Sequence, residues 1–188
     1  MTGRLVRTCA FAVSLVVVSL PLAAQQIIHA LTGTVSAIDA QSGTITVLQD
    51  DHTTAIFPRA GDKSASAFDK RIASEATAAK SFDKSGAYTI VFYVGDGDTR
   101  QVVAFKSLGA GPFSSTDGTV EKFDHGHSIS VRDSSGAVHV FSLNDGTVAE
   151  TNFGAVPGRK FSADKGDHVR IVSSQEGGTP TVLFVRDL

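Results

Sequence analysis

The chain has 188 residues, with 17 Lys and Arg against 19 Asp and Glu, 12 Phe, 2 Tyr and no Trp. A slightly acidic balance without a basic run opposes binding to phosphate backbones, which requires clustered Lys and Arg. One cysteine, Cys9, excludes a disulfide framework within the chain and a multi-cysteine metal site.

Residues 1–24 read as a secretory signal peptide. Arg4 and Arg7 form the positive end, Ala10 to Leu20 is apolar, Pro21 breaks the run, and Leu22-Ala23-Ala24 offers a small residue for cleavage. The apolar run is short of the roughly 20 residues of a membrane-spanning helix. Cleavage after Ala24 removes Cys9 and leaves 15 basic against 19 acidic side chains. The mature chain is therefore expected to be exported, periplasmic or extracellular, without a transmembrane helix.

Beyond the leader, Gly33-Thr34-Val35 starts a strand expected over 34–38. Asp39 to Gly43 is a turn, because Asp bonds its own backbone and Gly accepts positive φ. Thr44-Ile45-Thr46-Val47 alternates polar and apolar, the period of a half-buried strand. A third strand covers 54–57, ended by Pro58, which lacks a ladder N–H. Phe68, Ile72, Ala76 and Ala79 are spaced for one helix face. Two further strands are expected at 87–94 and 101–105.

The pattern then repeats. Gly118-Thr119-Val120 starts a strand over 119–123, the turn is Asp124-His125-Gly126, and Ser128-Ile129-Ser130-Val131 alternates as before. Strands follow at 137–141, 168–173 and 181–185. The segment 142–160, with Gly154, Pro157 and Gly158, is expected to be mostly loop. Domain boundaries fall at 31–108 and 114–188, with a Gly- and Pro-containing linker between them, and each half is expected to fold alone.

Five strands per copy can close as a small barrel, which removes exposed edges. The template GTV-x-x-(I/F)-D, an I-x-V strand, and Asp83-Lys84-Ser85-Gly86 or Asp164-Lys165-Gly166-Asp167 before an apolar strand resembles secreted bacterial domains of unknown function with an OB-fold-like barrel. The resemblance implies an all-β chain of two tandem OB-like five-stranded small barrels, and no catalytic motif.

The residues themselves agree with a non-enzymatic module. No Gly-x-Ser-x-Gly, His-Glu-x-x-His or phosphate-cradling Gly-x-x-x-x-Gly-Lys sequence occurs, and no cofactor is expected. The candidate metal ligands are His125, His127, His139 and His168 of the second copy, because converging neutral imidazoles hold Cu or Zn. Their counterparts in the first copy are Ala40, Gly43, Ala55 and Ala87, so such a site would be special to the second. Asp50, Asp51, Asp96, Asp98 and Asp117 read as turn residues rather than a glycosidase pair. Phe57, Phe105, Phe141 and Phe184 read as core.

The strand at 87–94 is apolar on both faces, which points to a contact between the two barrels, with a partner site as the other reading. The expected role is binding or scaffolding of an unknown envelope or extracellular ligand, with transition-metal binding by the second barrel as the alternative. An eight-stranded outer-membrane barrel is opposed by strands shorter than the 9–11 residues such spans need.

Overall fold

The computed structural model describes residues 26–61, 68, 72–109, 111–175 and 178–188. The expected leader and its cleavage site lie outside the described residues. The first copy contributes β1 (Ile28–Asp39), β2 (Thr44–Gln49), β3 (Thr54–Pro58), β4 (Thr77–Ala78), β5 (Tyr88–Val94) and β6 (Gln101–Ser107). The second contributes β7 (Phe113–Asp124), β8 (Ser128–Asp133), β9 (Val138–Ser142), β10 (Val148–Thr151), β11 (Gly154–Pro157), β12 (His168–Ser174) and β13 (Thr181–Asp187). The chain is all-β, with no α-helix among the described residues.

Both copies wind the same way. In the first, β1 pairs with β2 along one half and with β5 along the other, and β5 pairs with β6. A parallel bridge from Arg59 to Val102 closes β3 onto β6. In the second, β7 pairs with β8 and β12, β12 pairs with β13, and a parallel Thr181–Ser142 contact closes β9 onto β13. Strand one lies beside two and four, and three meets five: this is the OB-like barrel connectivity.

The long first strand must bend to serve two partners, and the repeated glycine sits at the bend. Gly33 pairs with Gln49 on β2 and Thr89 on β5. A Cβ there would lie 2.5 Å from the Leu48 carbonyl oxygen; at Gly118 it would lie 2.3 Å from that of Arg132. Neither glycine has positive φ, so close backbone approach explains both. A bulge follows in each copy, at Ser36 and at Glu121.

Two expectations need correction. Ala76 to Ala79 do not form a helix: Thr77–Ala78 is β4, paired with β6, and Ala79–Ser81 is a 3₁₀ turn. Residues 62–67 and 69–71 of that region lie outside the described residues. The apolar spacing serves a different purpose, since Phe68, Ile72 and Ala76 cover the outside of the first barrel, with Phe68 against Phe92 at 5.1 Å. In the second copy, the segment expected to be loop contains the β10–β11 hairpin. Gly154 takes φ +99° there, and a Cβ would strike Ile27 and the Ile28 carbonyl at 2.6 Å.

Three apolar clusters result. Val35, Ile45, Val47, Phe57, Val91 and Phe105 fill the first barrel. Val120, Ile129, Val131, Phe141, Phe161 and Ile171 fill the second. The third joins them: Ala30, Ile90, Phe92 and Val103 from the first copy meet Val148, Ala155, Val172 and Phe184 from the second. The two-faced strand β5 thus sends Val91 into its own barrel and Ile90, Phe92 and Val94 into the joint. Phe184 belongs to that joint rather than to its own barrel's interior. Each large side chain buried there contributes about 1.5–3 kcal/mol relative to exposure.

Candidate functional site

Locking the barrels together creates a cleft beside the joint. One wall carries Asp50, at the end of β2 on the first barrel. The other carries Ser115, Thr116 and Asp117 on β7, Asp133 and Ser134 at the β8–β9 turn, His139 on β9 and Arg170 on β12. The cleft has a volume of about 410 Å³.

Its polar groups are fixed by specific partners. The buried Thr32 hydroxyl and the Tyr88 hydroxyl, the latter 3.0 Å from both carboxylate oxygens, donate to Asp50. Burial, and then the Asp50 charge, push the Tyr88 hydroxyl well above its ordinary value. Across the cleft, Arg170 grips Asp117 through Nε and Nη2 at 2.7 and 2.6 Å. That hydrogen bonding raises Arg170 and lowers Asp117, and the charges of Asp50 and Asp51 raise Arg170 further. The Asp117 side chain is half exposed, so the pair adds at most about 1 kcal/mol. Its bidentate geometry fixes orientation instead.

Asp133 is held most tightly. Its Oδ1 accepts from the Ser135 hydroxyl at 2.6 Å and from the backbone N–H groups of Ser135 and Ala137. Its Oδ2 meets His139 Nε2 at 2.7 Å. The Ser135 hydroxyl, then His139, hold this carboxyl far below the usual carboxylate range.

The four sequence-nominated histidines are spread over the second barrel. His125 and His127 sit in the β7–β8 turn; the His125 ring stands edge-on to Phe123 at 5.9 Å. His139 lines the cleft with Asp133. His168 begins β12 opposite Thr119, its Nδ1 3.5 Å from that hydroxyl. Among the described residues, no three His, Cys, Asp or Glu side chains come together as a metal-ligating group.

The cleft residues were hidden from sequence for an identifiable reason. Asp117 is not a turn residue but lies within β7, whose first half extends beyond the expected strand. Arg170 gains its partner from a residue 53 positions away. The one local signal was the Ser114-Ser115-Thr116-Asp117 run ahead of the repeated glycine. Asp96 is a turn residue as expected, bonded with Thr99 around the 3₁₀ turn Gly97–Thr99.

No protein-family model matches the chain, and no curated protein matches it. Among solved structures, the chain is similar to the crystal structure of Ag(I)CusF. That likeness has 14% sequence identity and a TM-score of 0.32, and covers 41% of this chain and 99% of the other.

Proposed function

We propose that this chain is an exported, non-enzymatic binding module of the bacterial envelope. Its ligand is a small polar molecule, rich in hydroxyl or ammonium groups, bound in the cleft between the barrels. The leader pattern over 1–24 and the resemblance of the repeat to secreted domains support the location.

The observation that carries the binding reading is the composition of the cleft from both copies. The carboxylates of Asp50, Asp117 and Asp133 stand with the hydroxyls of Ser115, Thr116 and Ser134 around a space of ligand size. The hydrogen bonds that hold Asp117 and Asp133 below the usual carboxylate range keep both charged toward such a ligand.

Shift mapping of the ¹⁵N-labelled mature chain tests this reading, with mono- and disaccharides as the hydroxyl-rich probes and spermidine as the ammonium probe. The expected result is a saturable change at Thr116, Asp117 and Ser134 with one of the two classes, weakened by Arg170→Ala. No saturable change with either class, or one centred away from the cleft, would overturn it.

A further inference from the structure

We infer that the first barrel carries a second, separate site: a groove for a small carboxylate-bearing amphiphile, with Arg59 as its anion anchor. The groove has a volume of about 690 Å³ and lies between the end of β1 and the segment 80–85. Its apolar lining comes from Ala37, Ile38, Ala40 and Phe82, and its cations are Arg59 and Lys80. A mostly apolar concavity with a few convergent polar groups is the usual form of a small-molecule site.

Arg59 supplies the specific observation. Its Nη1 and Nη2 reach the Lys80 and Phe82 carbonyls only at 3.5 and 3.3 Å, and its Nε is buried without a hydrogen-bond partner. No carboxylate forms an ion pair with it among the described residues. A guanidinium so placed is under-satisfied, and its planar fork matches a carboxylate. Asp83 also lines the groove, so the head group is placed at the Arg59 end, with the apolar tail over Ile38 and Phe82.

The second copy shows what closes such a groove. The matched strand register puts Phe123 where the first copy has Ile38, Glu121 where it has Ser36 and Leu143 where it has Arg59. Phe123 packs edge-on against Phe161 at 5.6 Å, and Glu121 is paired with Arg132 at 2.8 Å. The first copy therefore has Ser36, Ile38 and Arg59 where the second has Glu121, Phe123 and Leu143, while both keep a basic 3₁₀ turn, with Lys80 in one and Arg159 and Lys160 in the other. Divergence at these three positions is what a site special to the first barrel requires.

Calorimetry and shift mapping on the mature chain test the proposal with octanoate, acetate and octylamine as probes. Octanoate is expected to bind with changes at Ile38, Lys80 and Phe82. Acetate, lacking the tail, should bind at least about tenfold more weakly, and octylamine, with the charge reversed, should not compete. Arg59→Gln should weaken octanoate about tenfold or more.

Ile38→Phe copies the second barrel's solution and should abolish octanoate binding while thermal unfolding stays cooperative. This variant decides the matter if Arg59→Gln fails to fold. Octanoate binding unchanged by Ile38→Phe, equal binding of octylamine, or no change in the groove at millimolar octanoate would each overturn the proposal. The cleft probes report on different residues, so either site can fail without the other.

Discussion

Glu150 on the second barrel bonds His29 Nδ1 on the first at 2.7 Å, and its second oxygen accepts the Ala30 N–H at 2.7 Å. This is a polar latch beside the apolar joint. His29 stacks on Tyr93 at 5.5 Å, with Arg100 lying over the Tyr93 ring, and Arg186 adds positive charge near Glu150. Lys106 makes a second link, donating to the Gly146 carbonyl at 2.9 Å.

The latch predicts a pH dependence. Burial raises the Glu150 carboxyl, and the bonds to His29 and Ala30 only partly oppose it. The folded chain then holds a proton at Glu150 more readily than the unfolded chain. Glu150's contribution is fully present below the ordinary glutamate value of about 4.3 and is lost as pH rises through the raised folded value. Urea unfolding should show the wild-type chain gaining stability over Glu150→Gln on acidification. A gap that widens with rising pH would mean that the charged pair outweighs burial.

The bend glycines predict a stability loss on substitution. Gly33→Val and Gly118→Val each place a Cβ within 2.5 Å of a facing carbonyl oxygen. Overpacking of this kind costs about 1–3 kcal/mol, which lowers Tm by several degrees in a chain this long. Calorimetric scans check it; if both variants melt with the wild type, the approach at the bend is looser than described.

The joint predicts coupling between the halves. Phe92→Ala removes a fully buried ring from the shared cluster and should cost about 3–5 kcal/mol. Residues 114–188 expressed alone would expose Val148, Val172 and Phe184. That fragment should show β-type circular dichroism yet self-associate or melt lower than the intact chain. A fragment that is monomeric and as stable as the whole would show the joint to be dispensable.

The histidine placement predicts weak metal binding. Because no three His, Cys, Asp or Glu side chains among the described residues come together as a ligating group, Cu or Zn should bind the tag-free mature chain no more tightly than a His125→Ala/His127→Ala double variant. A clear loss of affinity in that variant, with binding that weakens as pH falls through about 6.5, would establish a metal site at the turn.

Local pattern carried the hairpins. The period of two in Thr44–Val47 and Ser128–Val131, and the turn residues before them, placed β1–β2 and β7–β8 to within a few residues, apart from the long leading ends of β1 and β7. The β10–β11 hairpin was masked because Gly154 and Pro157 read as breakers, whereas Gly154 is needed for a close approach to β1. Phe68, Ile72 and Ala76 gave a true apolar stripe, but its expected continuation through Ala79 is strand and turn, since nothing local says that the stripe covers a sheet. The cleft was illegible for a deeper reason. Asp50 and Arg170 share it only because two barrels dock, and docking depends on contacts over more than a hundred residues.

Binding between the barrels requires a cleft preformed by that docking. Measurement of ¹⁵N relaxation on the mature chain tests this most directly. Docked barrels should show one rotational correlation time for amides of both, with Thr46 and Ser130 tumbling as parts of a single body. Two distinct, shorter correlation times would mean that the barrels move independently, and would contradict a fixed cleft between them.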